Sequence, residues 1–119
     1  MLVNLFLIGM GGALGAISRY IMNEFFINYL TVSSNVGTLF VNVLGCFFIG
    51  LLFGFAIPLK DTTYYFFAIG FLGSFTTMSA FSHQVVMMGN SNLINTLSYI
   101  MLTIILTILA TYIGAMISK

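Results

Sequence analysis

Charge is the scarcest property of this sequence: three Lys or Arg and two Asp or Glu stand among 119 residues. Soluble domains carry roughly a quarter charged residues, so these few cannot keep a water-facing surface hydrated. A soluble enzyme or binding module is excluded, and an integral membrane protein remains. The formal net charge of +1 argues against a nucleic-acid partner, which would need a basic patch. Cysteine occurs once, at Cys46, so there is no intramolecular disulfide, and apolar packing is its simplest role. The opening residues, MLVNLFLIGMGG, lack the basic stretch that begins a signal peptide. Residue 1 is therefore expected to start the first span of the mature chain. The length leaves room for one domain, 1–119.

What the sequence has instead is hydrophobic length. Hydrophobic residues make up 61% of it, and a bilayer crossing needs about 20 apolar residues in a helix. Four runs meet that need, at about 2–22, 36–57, 63–88 and 93–117. The stretches 58–61 (PLKD) and 89–92 (GNSN) read as turns. The third connection, 28–34, leaves room for a short interfacial helix. Four spans place both termini on one side, with Lys60 and Lys119 there and at most Arg19 opposite. A bias of about one positive charge fixes orientation weakly at most. Four thin helices enclose little interior, so any path wider than a proton's is expected between subunits, most simply in a dimer.

The glycines of GMGGALG, residues 9–15, do not make a dinucleotide fingerprint. Leu14 stands where the third glycine belongs, and no strand precedes it. The spacings Gly11-xxx-Gly15 and Gly50-xxx-Gly54 fit close helix approach in lipid.

The polar residues in the spans carry more information. Asn42 lies deep in the second span, and an unpaired amide in hydrocarbon costs a few kcal/mol; it either pairs with a neighbouring helix or lines a wet path. Tyr99, Thr103, Thr107 and Thr111 fall at i, i+4, i+8 and i+12 of the fourth span and share one stripe. They form a polar track or bond back to their own helix, as Thr does in apolar helices. The third span contains GFLGSFTTMSAFSHQ, residues 70–84, in which two glycines, three serines and two threonines interrupt an apolar run. About 26 residues is long for a straight crossing, although tilt absorbs part of the excess. A break near Gly73–Thr77 would free backbone groups, which is tolerated only where protein, water or an ion satisfies them. Half-helix ends at that depth are known ion-coordinating devices. Phe71, Phe75 and Phe81 around it are compatible with plain packing.

No carboxylate lies deep in a span, since Glu24 and Asp61 fall at edges. That weakens any proton-coupled transporter, which usually needs a buried acid. His83 is a candidate proton carrier, with an interfacial position its simpler explanation. No catalytic Ser/His/Asp or Cys/His pairing and no metal-ligand cluster is legible, so no enzyme is expected. A small four-span drug/proton antiporter would be expected to show an embedded Glu in its first span and tryptophan; the chain has neither.

Three segments, GGALGAISRY (11–20), GTLFVNVLGCFFIG (37–50) and GFLGSFTTMSAFS (70–82), resemble in order and spacing the signature segments of the CrcB/Fluc family of fluoride channels. The resemblance covers the whole chain. It implies an all-α membrane protein of four helices, the third broken at mid-membrane. It also implies an antiparallel dimer of identical or paired subunits, with two narrow fluoride pathways along the interface. The implied anion pathway falls on Asn42, Thr77, Met78, Ser79, Phe81, Tyr99, Thr103 and Thr107, with Arg19 in the vestibule; taken alone, Arg19 at a span end would be a snorkelling anchor. A structural sodium ion would be held at the interface by the backbone carbonyls of Gly73 and Thr76. The implied role is passive fluoride export across the bacterial inner membrane, as a multi-pass protein that lowers cytoplasmic fluoride.

The chain departs from the family's third-helix pattern, Thr-Thr-Phe-Ser-Thr-Phe-Ser-x-Glu, at three positions. Met78 replaces a phenylalanine, Ala80 a threonine and Gln84 an acid. A homodimer would lack half of the pathway's ring edges, although a thioether has similar bulk and is polarizable. The substitutions also suit one half of a heterodimer whose partner supplies the missing groups, or a partner that does not itself conduct.

Overall fold

The computed structural model describes residues 1–118, so Lys119 and its share of the charge bias lie outside the described residues. Four stretches are long and apolar enough to cross a membrane: Leu2–Asn28, Ser34–Phe53, Tyr64–Gly89 and Leu93–Ser118. The first two are continuous helices, α1 (Leu2–Asn28) and α2 (Ser34–Phe53), and the last is α5 (Leu93–Ser118). The remaining stretch divides. Its first part, α3 (residues 64–75), begins with widened π-type turns over Tyr64–Leu72 and ends with one ordinary turn, Gly73–Phe75. Its second part is α4 (Met78–Gly89). Between them Thr76 (φ −80°, ψ 156°) and Thr77 (φ −148°, ψ 117°) have extended backbone.

Two helix ends differ from the hydropathy pattern. α2 stops at Phe53, short of residue 57, because Gly54 turns to φ +60°, a region open to glycine and poor for other residues. Apolar side chains continue past that point and conceal the stop. α1 runs on to Asn28 rather than ending near residue 22. Asn23 and Glu24 look like an end in sequence, yet Glu24 accepts a bond from Asn28 Nδ2 one turn later at 3.3 Å, and the side-chain oxygen of Asn23 lies against Gly37 of α2. The connection 29–33 is then too short for an interfacial helix and contains none.

The helices pack in two close pairs, joined where glycine removes the side chain between backbones. α1 lies along α3: a methyl group on Gly11 would collide with the Phe66 carbonyl, and one on Gly15 with the Phe71 carbonyl and the Ser74 hydroxyl. α2 lies along α5: Gly50 sits on the Thr111 carbonyl and Gly114 on that of Phe47. Such approach drives association in lipid, where apolar area alone gives little preference for protein over tails. Gly54, the other half of the second glycine spacing, has no neighbour among the described residues closer than 3.6 Å to its missing methyl and serves as the helix stop instead.

The interior is small and partly polar. Val41, Leu72, Phe75, Tyr99, Ala110 and Ala115 are its buried apolar members, accompanied by Thr38, Asn42, Thr96 and Thr103. Most large apolar side chains point outward, as they must in a chain whose solvent is hydrocarbon.

Candidate functional site

The extended pair Thr76–Thr77 reorganises the backbone bonding around it. Thr77 N–H, which a continuous helix would give to the Gly73 carbonyl, donates instead to Asn42 Oδ1 at 2.8 Å. Asn42 Nδ2 returns a bond to the Thr77 carbonyl at 3.1 Å. Ala80 N–H, the ordinary partner of the Thr76 carbonyl, donates to Thr77 Oγ1 at 3.2 Å, so Thr77 is the N-cap of α4. Gly73 and Thr76 have thus lost their usual helical donors to side chains. Thr76 hydroxyl bonds back to the Leu72 carbonyl at 3.0 Å, and Thr76 N–H goes to the same oxygen at 3.1 Å.

The end of α3 is held from α1. Arg19 Nε donates to the Ser74 carbonyl at 3.0 Å, a cation placed at the negative end of a short helix. Ser74 Oγ lies 2.8 Å from both the Gly12 and the Gly70 carbonyls. Because α1 continues to Asn28, Arg19 is within the helix and bonded across it, not a snorkelling anchor at its end.

A cavity of about 210 Å³ opens at the interruption, lined by Asn42, Thr77, Met78, Phe81, Thr103 and Thr107, together with Cys46 and Thr76. Six of the eight candidate pathway residues therefore share one space. The other two border it. Ser79 Oγ lies 3.2 Å from Thr77 Oγ1, and the Tyr99 ring packs on Phe81 with centroids 5.2 Å apart. Asn42 proves to do both things open to it: it pairs with a neighbouring segment and lines the cavity. Met78 points outward, 73% exposed.

The stripe on α5 is less uniform than its spacing suggested. Thr107 hydroxyl donates to the Thr103 carbonyl at 2.6 Å and Thr111 hydroxyl to the Thr107 carbonyl at 3.1 Å, so both are turned back on their own helix. Tyr99 hydroxyl donates to Gln84 Oε1 at 2.7 Å. Thr103 differs: its hydroxyl is buried with no partner among the described residues, beside the cavity.

Comparison with known proteins identifies the family. The profile described as CrcB-like protein, Camphor Resistance (CrcB), matches residues 6–115. The chain belongs to the CrcB family. A relative from Campylobacter jejuni (serotype O:23/36, strain 81-176), named fluoride-specific ion channel FluC, is 39% identical with all of both chains covered. A relative of the same name from Dehalococcoides mccartyi (strain CBDB1) is 41% identical, covering 92% of this chain and 87% of its own. A third, from Haemophilus ducreyi, is 44% identical over 71% of this chain and 65% of its own.

Within this CrcB chain, sequence reasoning left three contributors unassigned. Ser74 locks α3 to α1, and Thr38 with Gln84 forms a polar bridge from α2 to α4, Gln84 Nε2 donating to Thr38 Oγ1 at 2.8 Å. Thr77 caps α4 without the Glu or Gln at the third following position that would have marked a capping box in the sequence. Thr38 and Gln84 carry no local mark either, because they lie far apart in sequence.

Proposed function

We propose that this chain is a subunit of a fluoride-selective channel that carries fluoride passively out of the cytoplasm. The cavity at the interruption supports this most directly: amide, hydroxyl and ring edge converge there in a family whose relatives are named fluoride-specific ion channels. A channel of this kind makes and breaks no covalent bond, so the protein is not an enzyme.

Fluoride is small and holds its water tightly, so a dry path must offer donors in place of that water. Asn42 has a second N–H beyond the one given to Thr77, and the Thr103 hydroxyl is uncommitted. The edge of the Phe81 ring carries partial positive charge and holds an anion loosely enough for it to leave. Thr77 and Ser79 extend the polar wall with one shared hydroxyl contact. Tyr99 extends it as a ring. Thr107 contributes a hydroxyl that must rotate away from its carbonyl to serve as a donor. Among the described residues no cationic side chain lines the cavity, which keeps the ion from being trapped, while Arg19 belongs to the vestibule.

The finer architecture follows the same reading. The third span is broken at mid-membrane, and two subunits lie antiparallel in the bacterial inner membrane, with Met78 turned toward the partner. The carbonyls of Gly73 and Thr76, deprived of helical donors, suit a hard cation, and with the partner's equivalent carbonyls would hold sodium. Sodium supplies the positive charge that satisfies oxygen atoms freed at the interruption. The pair is a homodimer, or it joins this chain to a homologous subunit bearing phenylalanine at the position of Met78.

The test is fluoride efflux from liposomes containing this chain alone, with Met78→Phe in parallel and chloride as control. Rapid, fluoride-selective efflux from the unmodified chain supports a self-sufficient homodimer. Silence rescued by Met78→Phe points to a required partner. Silence in both, from a well-folded protein, overturns the self-sufficient homodimer, and silence that persists with a homologous subunit co-reconstituted overturns the channel reading.

A further inference from the structure

We propose that His83, Met87 and Met88 form a binding site for a soft monovalent metal ion, copper(I) or its silver(I) analogue, on the half of α4 away from the interruption. The three side chains border a cavity of about 310 Å³. It shares no lining residue with the cavity at the interruption, so the site is distinct from the anion path, and nothing in it depends on the passage of fluoride.

Helix spacing brings the donors together. Residues at i and i+4 are neighbours on one helix face, which sets the His83 imidazole beside the Met87 thioether on α4. Both residues are exposed, so neither is held in the packed interior. Met88 follows at once and is half-buried. Its Sδ lies 3.1 Å from Asn35 Nδ2 of α2, and Asn35 borders the same cavity. A thioether is a weak acceptor on a flexible stem, so Met88 gives up that contact to a metal at little cost. Packing against lipid would account for an isolated outward methionine. It does not account for two methionines and a histidine around a cavity whose wall also contains Asn35 and Ser91.

The donor set selects the metal. Among the described residues no group of three His, Cys, Asp or Glu comes together, and neither a carboxylate nor a Lys or Arg lines this cavity. Calcium and magnesium, which take oxygen ligands, and tetrahedral zinc, which takes Cys, His and carboxylate, find no suitable set here. Thioether sulfur favours copper(I), imidazole binds zinc, copper, iron and nickel, and copper is the metal common to both. Three neutral donors leave the ionic charge uncompensated, and the cost of removing an ion from water grows steeply with that charge, which favours a single positive charge over a double one. Gln84 also borders the cavity but stays outside the set, because its carboxamide is committed to Thr38 and Tyr99.

The probe is silver nitrate in chloride-free buffer, added at one pH to the full chain in detergent with its methionine methyl groups isotopically labelled. Silver(I) stands in for copper(I) without redox chemistry. Cys46 is a soft ligand too, so two equivalents are added to the unmodified chain. Of the eight methionines, Met87 and Met88 should show the shifted methyl resonances, and the His83 ring should move with them. Affinity is measured by calorimetry in Cys46→Ser, where one equivalent should bind. In that background His83→Ala and Met87→Leu should each weaken silver binding about tenfold or more, and Met88→Leu should weaken it less. Zinc nitrate should leave the Met87 and Met88 methyl groups unmoved. Silver that shifts other methionines in place of these two overturns the proposal, as does unchanged affinity in both His83→Ala and Met87→Leu. A zinc response equal to that of silver overturns the choice of metal. If Cys46→Ser does not fold, unmoved Met87 and Met88 methyl groups in the unmodified chain overturn the proposal equally. Fluoride efflux is not among the readouts, so a failed channel reading and a failed metal site are told apart.

Discussion

Asn42 and Thr77 bond to each other twice, Thr77 N–H to Asn42 Oδ1 at 2.8 Å and Asn42 Nδ2 to the Thr77 carbonyl at 3.1 Å. A side-chain amide thus takes the place of a strand neighbour for a residue with extended backbone. Nothing smaller or of other polarity matches both groups at once. Asn42→Ala would orphan a donor and an acceptor, each costing about 1–3 kcal/mol when buried. The expected outcome is a large fall in melting temperature in detergent together with loss of fluoride efflux. Asn42→Asp keeps an acceptor for Thr77 N–H, so it should fold better than Asn42→Ala yet remain silent, because a carboxylate in the cavity repels the anion. A conducting Asn42→Asp channel would exclude Asn42 as a pathway donor.

Thr103 and Thr107 give a sharper comparison, since one turn separates chemically identical side chains in different states. Thr103 hydroxyl is buried and has no partner among the described residues, while Thr107 donates to a carbonyl of its own helix. Valine matches threonine in shape without the hydroxyl. Thr103→Val should be neutral or mildly stabilising, since no made bond is lost, and should slow fluoride efflux at least tenfold. Thr107→Val should change efflux less than threefold. The reverse order in a liposome flux assay would mean that the hydroxyls reorient when the ion enters and that the resting arrangement does not identify the donor.

This contrast also marks how far the sequence could be read. The four spans were legible because bilayer thickness imposes a length that hydropathy reports directly, and the CrcB membership was carried by three spaced segments. The spacing of Tyr99, Thr103 and Thr107 correctly put them on one face of α5, but a one-dimensional pattern says nothing of where each proton goes. Gln84 looked like a mere departure until folding brought Thr38 and Tyr99 to its two ends. Helix ends failed where backbone conformation, not polarity, decides them. Gly54 stops α2 amid apolar residues, and Asn23 and Glu24 do not stop α1, where Asn28 bonds back to Glu24 one turn on.

Gly114 and Gly50 hold α2 against α5 by backbone contact, each facing a carbonyl of the other helix. Gly114→Ala would drive a methyl into the Phe47 carbonyl, so the helices must separate and the cavity wall formed by Thr103 and Thr107 moves with α5. Overpacking of this kind costs about 1–3 kcal/mol. The expected result is lower thermal stability and slower efflux. Gly9→Ala is the control, because its missing methyl has open space around it, and it should match the unmodified chain in both measurements. Equal behaviour of the two variants would mean that α2 and α5 are not held at this distance in the bilayer.

The carbonyls of Gly73 and Thr76 give a prediction about sodium that does not depend on flux. Their helical donors are diverted, Thr77 N–H to Asn42 and Ala80 N–H to Thr77 Oγ1. An ion that binds the folded protein and not the unfolded chain raises stability with its concentration until the site is well occupied. Melting temperature in detergent should therefore rise with sodium chloride but not with an equal concentration of N-methylglucamine chloride, which separates ion binding from screening. Thr77→Val supplies the structural check. Without the hydroxyl, Ala80 N–H is free to return to the Thr76 carbonyl, and α4 can begin one residue earlier. The sodium concentration needed for half of the stabilisation should then increase several-fold, while any dependence on chloride stays as it was. A melting temperature indifferent to sodium in the unmodified chain would leave these oxygens to water or to the partner subunit, and Thr77→Val would act only through its lost cap, at about 1 kcal/mol.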